Sequence, residues 1–373
     1  MNRTEQILAG YFERKYCLLT GCATAAMYLI LKSIKLEYPS DRFKVLYPAI
    51  NCMMPVNAAI YADWEPVFCD INLRDYTMDV NAAQSMMENG DIGVLVPTHL
   101  YGHTCAMDEL ITAAQKHGVF ILEDAAQAVG GTYRGKKLGS FGNASVVSFG
   151  HSKILDCGGG GAILTDDSAL YEAVLAGNQL LPEKPNHLAA LTNAFREAYH
   201  SIYGLIGVAG KYWELMFNLQ ILSQEMYLYQ IDSLTANRIG GQIDSIGDVA
   251  AARMKRRNLY EDNLNRTRLD LPVIQNGSTS WRYTFMYPGN RDGFIQKLAT
   301  GNVDAACWFP ALYPMYSKQN SGLFPNANLF QRQVVNLRTA PKYSEEKIGK
   351  DIQTINMFLT QEIEFAQSGG RSQ

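Results

Sequence analysis

From Phe43 to Asp166, short runs of β-branched and apolar residues alternate with stretches whose apolar positions recur at helical spacing. The runs are Phe43–Leu46, Pro66–Asp70, Ile92–Pro97, Val119–Leu122, Ala144–Phe149 and Gly161–Thr165. Helices are expected near Ala25–Ile34, Pro55–Ala62 and Met107–His117. Strands of this length separated by amphipathic helices make a mostly parallel sheet covered on both faces. Such sheets bind ligands beyond the carboxyl ends of their strands. Chemistry therefore belongs to the residues just after each run.

The chain has 373 residues. Single cores stop growing near roughly 250–300 residues, so a large domain with a smaller companion is expected. The pattern places the large α/β domain at residues 1–245 and a small C-terminal α+β domain at 246–373. A helical insertion over about 178–235 interrupts the first: Pro182 and Pro185 end one element, and Leu188 to Tyr229 reads as long helices rich in Leu, Tyr, Phe and Met. Within it, Ile202–Leu219 is strongly apolar, yet Lys211, Glu214 and its glycines make a packed or interface helix the expectation, not a membrane span. Further on, a connecting helix is expected over Ile239–Asn263, a strand over Tyr283–Tyr287, and helices over Asp292–Thr300 and Glu346–Phe365.

Charge excludes some partners. With 33 Lys and Arg against 36 Asp and Glu, the net charge is −3, and no basic run offers a field for nucleic acid. Charged residues make up 18%, below the usual ~25%, as in chains that bury surface in an obligate oligomer. Seven cysteines without a Cys-x-x-Cys fit a reducing compartment. The first residues show no signal-peptide core, so a cytoplasmic location is expected.

The sharpest motif is VFILEDAAQA at Val119–Ala128, where an apolar strand delivers Glu123 and Asp124 to its carboxyl end. An ionised Asp beside a buried strand end costs several kcal/mol unless a cation meets it. The protonated ring nitrogen of pyridoxal phosphate is one such cation; a helix-capping or metal-binding role is the alternative. The next strand ends in Gly150-His151-Ser152-Lys153, followed by Asp156-Cys157 and four glycines, Gly158–Gly161. A Lys desolvated in such a pocket becomes a Schiff-base nucleophile, although a surface Lys before a flexible loop has the same spelling. Ser148 can offer a hydroxyl to a phosphate. So can Thr24, in the small-residue turn Leu18–Met27 that opens a helix, where an ordinary N-cap is the alternative.

Together these segments resemble the sugar aminotransferases of the DegT/StrS type, within fold type I of the pyridoxal-phosphate enzymes. The resemblance runs from about Tyr11 to the C-terminal helix and is densest in VPTHLYGHTCAMDEL and EDAAQAVGGTYRGKKLGSFGNASVVSFGHSKILDCGGGGAILTDD. WRYTFMYP and CWFPALYPMY resemble the family's small domain. The resemblance implies a Lys153 Schiff base, Asp124 on the pyridine nitrogen, Gln127 on the ring's phenolic oxygen, and Thr24, Ala25 and Ser148 at the phosphate. It also implies Cys52 where many members stack an aromatic ring on the cofactor, and Asn237, in Ala236–Ile239, reaching a partner's phosphate. A homodimer with shared sites, an L-glutamate donor and a nucleotide-linked keto-deoxy sugar acceptor are further implications. Lys153 argues against the related dehydratases, which carry His there.

The remaining residues stay open. His151 lines the Lys153 loop, and His99 and Arg282 are candidates for substrate hydroxyls or a carboxylate. His99 and His103 have metal-like spacing, but no cluster completes a site, and no metal is expected. Rival readings are a non-catalytic or regulatory protein docking a partner through 188–229, or a pyridoxal-phosphate enzyme acting on a free sugar acid or an inosose.

Overall fold

The computed structural model describes residues 1–35, 42–209 and 212–368; Lys211 lies outside them. The strands are β1 (Tyr16–Thr20), β2 (Lys44–Pro48), β3 (Glu65–Cys69), β4 (Ile92–Leu95), β5 (Phe120–Asp124), β6 (Thr132–Tyr133), β7 (Lys136–Lys137), β8 (Ala144–Ser148), β9 (Gly161–Thr165), β10 (Arg282–Met286), β11 (Ala305–Ala306) and β12 (Val334–Arg338). The α-helices are α1 (Arg3–Tyr11), α2 (Ala23–Lys35), α3 (Met53–Tyr61), α4 (Val80–Met87), α5 (Met107–His117), α6 (Ser168–Gln179), α7 (Leu188–Ala209), α8 (Trp213–Ile221), α9 (Ser233–Gly240), α10 (Ile246–Asn263), α11 (Arg291–Thr300), α12 (Tyr313–Tyr316), α13 (Pro325–Gln333) and α14 (Glu345–Ser368).

The main sheet has seven strands in the order β1-β9-β8-β5-β4-β2-β3, and β9 alone runs against the others. This is the mostly parallel, helix-covered architecture that the alternating pattern requires. Nearly every position of these strands is buried, because helices pack on the sheet. α2 shows why: its sequence ATAAMYLILKSIK buries Ala25, Ala26, Met27, Leu29, Ile30, Leu31 and Ile34, and leaves Lys32 and Lys35 in the last turn, where the helix dipole favours cations. α5 keeps Asp108 and Glu109 in its first turn and stops at Gly118, whose φ of 62° closes it in the left-handed region.

Two elements differ from expectation. The small-residue turn is expected from Leu18, but Tyr16–Thr20 is an edge strand, because its antiparallel partner β9 lies far along the chain and leaves no local mark. The single helix expected over Ile239–Asn263 is broken: α9 ends at Gly240, a 3₁₀ turn spans Ile243–Ser245, and α10 starts at Ile246. The Gly240-Gly241 pair weakens the helix at that point.

The insertion folds back onto its own chain. Phe195, Tyr199, Ile202, Met216 and Phe217 join the main core. α8 is tied to α3, where Asn57 Nδ2 donates to Gln220 Oε1 at 2.8 Å and the Tyr61 hydroxyl donates to the Gln220 carbonyl at 2.6 Å. Its two ends are stitched together: the Gln230 backbone donates to the Pro182 carbonyl at 2.9 Å, and its side chain to that of Leu181 at 2.6 Å. No helix among the described residues is long and apolar enough to cross a membrane.

A second core gathers Tyr260, Tyr283, Phe285, Phe294, Leu337 and Ile355 around the sheet β10-β12-β11 and the face of α14. The stretch carrying Ala311, Phe324 and Phe330 returns to the main core. α10 spans both, with Ile246 in the first and Tyr260 in the second.

Candidate active site

β5 ends in two acids that point to opposite faces, as strand geometry demands. Glu123 is fully buried and structural: it accepts from Gly139 N at 2.6 Å, Phe141 N at 2.7 Å and His99 Nε2 at 3.0 Å. Asp124 is only 4% exposed, and the one hydrogen bond its carboxylate makes is from Ala126 N at 3.0 Å. It has no ion-pair partner among the described residues. Burial pushes its carboxyl up from the ordinary range, while the Ala126 N–H and the Lys153 cation pull it down. A buried carboxylate held short of a counter-ion is primed for a cationic group.

Lys153 follows β8 on a loop anchored from the C-terminal side. Ser152 sits at φ 65°, and its carbonyl accepts from Trp281 Nε1 at 2.6 Å. The Lys153 carbonyl accepts from Arg253 Nη2 at 2.7 Å, and Arg253 Nη1 also donates to the Trp281 carbonyl at 3.3 Å. Lys153 Nζ stands 5.6 Å from the centre of the Trp281 ring. Arg253 and Trp281 position the lysine. Arg253 escaped the sequence reading because a cation aimed at a main-chain carbonyl leaves no motif.

Strand register brings the phosphate candidates together. Thr20 pairs with Gly161, and Gly161 with Ser148, so the turn into α2 and the end of β8 flank one residue of β9. Thr24 and Ala25 are buried in the first turn of α2, which carries no acidic side chain to compete for its free N–H groups. Ser148 is 5% exposed, its hydroxyl accepting from Gly150 N at 3.4 Å. Gly21 is required here: a Cβ would lie 2.3 Å from the Tyr229 carbonyl, where the end of the insertion closes on this turn.

The other predicted residues divide. Gln127 is buried near Asp124, its carbonyl accepting from Tyr101 N at 2.9 Å. Tyr101, at φ 60°, hydrogen-bonds through its hydroxyl to Trp308 O and Phe309 N and stacks on Trp281, which connects Gln127 to the C-terminal segment. Cys52 caps α3 without a side-chain bond; burial pushes its thiol up and Lys153 pulls it down, so the two share one site. Arg282 is 5% exposed, its Nη1 is buried without a hydrogen-bond partner among the described residues, and its guanidinium lies 4.6 Å from the centre of the Trp281 ring. Burial, with Arg338 adding to it, brings its pKa down to about 10. It lines a cavity of about 360 Å³ with Ser152, Ile154, Arg253, Arg338 and Lys342.

Three residues stand elsewhere. His99 is fully buried, with Nδ1 accepting from Cys105 N at 3.1 Å and Nε2 donating to Glu123, so neither nitrogen is left for a substrate. The expectation of a substrate contact is corrected: His99 braces β5. His151 points away, its side chain 87% exposed and 3.8 Å from Asp156. Asn237 is exposed on α9. The metal-like pair separates too, because His103 Nδ1 donates to the Asp75 carbonyl.

A buried carboxylate without a cation, a lysine amine that shares its field and a helix N-terminus open to an anion fit pyridoxal phosphate: acid for the ring nitrogen, amine for the aldehyde, N–H groups for the phosphate. On this sheet topology they define a pyridoxal-phosphate-dependent aminotransferase of fold type I. The chain belongs to the DegT/DnrJ/EryC1/StrS aminotransferase family, whose model matches residues 1–356. It is 33% identical over 182 residues to a GDP-perosamine synthase of Caulobacter vibrioides, a match spanning 48% of each chain, and so about half the length of that relative. It is 24% identical over 355 residues to a GDP-perosamine synthase of Escherichia coli O157:H7, covering 93% of this chain and 86% of that one. Its fold is shared with DesV of S. venezuelae, solved in complex with a ketimine intermediate, at a TM-score of 0.76 and 22% identity over 95% of this chain and 88% of the other.

Proposed function

We propose that this enzyme transfers an amino group from a dicarboxylic amino acid, L-glutamate first, to a keto-sugar carried on a nucleotide, working as a cytoplasmic homodimer. The buried Asp124 carboxylate, without an ion-pair partner among the described residues and within electrostatic reach of the Lys153 amine, carries the reading. Two GDP-perosamine synthases among the relatives support a nucleotide-linked sugar. Exposed Asn237 is available to a second subunit.

When bound, pyridoxal phosphate supplies an aldehyde for the amine and a ring that withdraws electrons from the donor Cα. The residues then have separate tasks. The first turn of α2, with Thr24 and Ala25, and the Ser148 hydroxyl hold the phosphate. Asp124 would keep a proton on the ring nitrogen, Gln127 would hydrogen-bond the phenolic oxygen, and Cys52 would stand on the cofactor's side of the site. Lys153 Nζ would hold the aldehyde carbon and, as a free amine, would serve as general base for the Cα proton. Lys153 and Arg282 share the Trp281 ring, which limits their separation to the sum of their distances from it. A carboxylate of the donor meets Arg282 within that span and gives its buried cation a counter-ion.

The testing experiment is spectroscopic. The enzyme with its cofactor is yellow, glutamate bleaches it, and a ketone that is a true acceptor restores the colour. Yellow enzyme that glutamate leaves unchanged contradicts the donor.

A further inference from the structure

Tyr199 has the environment of a residue waiting for a ligand. It lies on α7, in the insertion, and is 9% exposed. Its ring is stacked between Phe195, at 6.0 Å, and Tyr203, at 5.7 Å, which fixes where the hydroxyl points. That hydroxyl is buried and has no hydrogen-bond partner among the described residues. Neighbouring tyrosines are satisfied: Tyr61 donates to the Gln220 carbonyl, Tyr47 to that of Pro55, and Tyr316 to Asn57 Oδ1. Native interiors rarely leave a phenol in this state without cause.

The surroundings say what the cause is. Burial raises the Tyr199 phenol, and Tyr203, Cys52 and Cys307 add to that, so Cys52 lies within electrostatic reach of it. Cys52 in turn shares the field of Lys153 and Asp124. Tyr199 is also a neighbour of Tyr316, itself tied to α3. α7 packs on α8, and α8 packs on α3, the helix that Cys52 caps. The insertion thus carries its unpartnered hydroxyl on the α3 side of the site, whereas Arg282 stands beside Trp281.

We propose that Tyr199 hydrogen-bonds the polyhydroxylated ketone acceptor through its phenol, so that the insertion helix sets which acceptor the site takes. The assignment rests on the keto-sugar reading above. A hydroxylated ring brings donors and acceptors that satisfy the phenol; the donor, held at Arg282, has no need of it.

Tyr199→Phe keeps the stacked ring and deletes only the hydroxyl. The test uses the holoenzyme, a UDP-linked 4-keto-6-deoxyhexose and scyllo-inosose as probes, and three readouts. The thermal midpoint without acceptor is expected to stay equal or to rise, since no bond is lost. Bleaching by glutamate is expected at the wild-type rate. The KM for the ketone that restores colour in the wild type is expected to rise about tenfold, the worth of one hydrogen bond to a substrate hydroxyl. An unchanged KM overturns the role of Tyr199 alone. A lowered midpoint with both half-reactions slowed alike also overturns it, showing a structural hydroxyl. A wild type that neither ketone restores overturns the keto-sugar reading, and this inference with it.

Discussion

The Arg253 guanidinium donates to the carbonyl of Lys153 at 2.7 Å, so the residue proposed to carry the reactive amine is fastened to α10. α10 runs from one core into the other, and Arg253 is 2% exposed. Arg253→Met leaves the Lys153 carbonyl without its donor, at about 1–3 kcal/mol of stability, while the Trp281 carbonyl keeps the Thr339 hydroxyl. We expect a lower thermal midpoint, weaker retention of pyridoxal phosphate and a reduced kcat. Arg253→Lys, a point charge in place of a fork, should recover only part of the loss. Wild-type cofactor affinity in R253M would show that the lysine holds its place unaided.

Lys153→Ala should be colourless at the aldehyde band and inactive in both half-reactions. Asp124→Asn, of the same shape without the charge, should fold and bind cofactor while losing about 10²–10³-fold in kcat. Near wild-type turnover in either variant contradicts the roles given to these residues.

Arg282→Leu separates donor recognition from stability. A buried cation without a partner is costly, so its removal should leave the midpoint of the donor-free enzyme unchanged or higher. The KM for glutamate should rise about 10–100-fold, the worth of a charged hydrogen bond, with little change for alanine. A uniform loss with both donors would put the shared α-carboxylate at Arg282 instead of the side-chain one, and an unchanged KM for both would place the carboxylate elsewhere.

Glu123 satisfies three donors, among them His99. Glu123→Ala strands them and should cost about 3–5 kcal/mol, read as a lower urea midpoint. His99→Ala should destabilise as well, with substrate KM values close to wild type. A selective rise in KM in H99A would restore the substrate role that its burial denies.

His103 gives the stability a pH dependence. It is buried, with Nδ1 donating to the Asp75 carbonyl, and burial brings its pKa down from 6.5 to about 4. The unfolded chain takes up this proton near 6.5 and the folded chain only near 4, so stability is present above 6.5 and is lost as the pH falls through that window. The loss is on the order of 3 kcal/mol. His103→Gln should flatten the urea midpoint between pH 7 and 5; a curve parallel to wild type would refute it.

Much of the strand framework could be read from the chain because sheet chemistry is local. An apolar run that ends in an acid, or in Gly-His-Ser-Lys, announces a strand and what stands at its end, so the places of Asp124 and Ser148 at strand ends, and of Lys153 on the loop after one, were legible. β1 was not, since only its distant partner β9 makes it a strand. Arg253 and Tyr199 were illegible too: one answers a main-chain carbonyl, and the other depends on how a helical insertion folds back. His99 misled in the opposite direction. A histidine beside a strand end reads the same whether it faces a ligand or, as here, Glu123.

The stem that joins Gln230 to Leu181 and Pro182 brings both ends of the insertion to one clasp. Chain that leaves and re-enters the sheet domain at one point can vary between the two ends, within the limits set by Met216 and Phe217 on the main core and Tyr229 against Gly21. On the role proposed for Tyr199, acceptor preference can thus drift, or be engineered by grafting, at positions remote in sequence from Asp124 and Lys153.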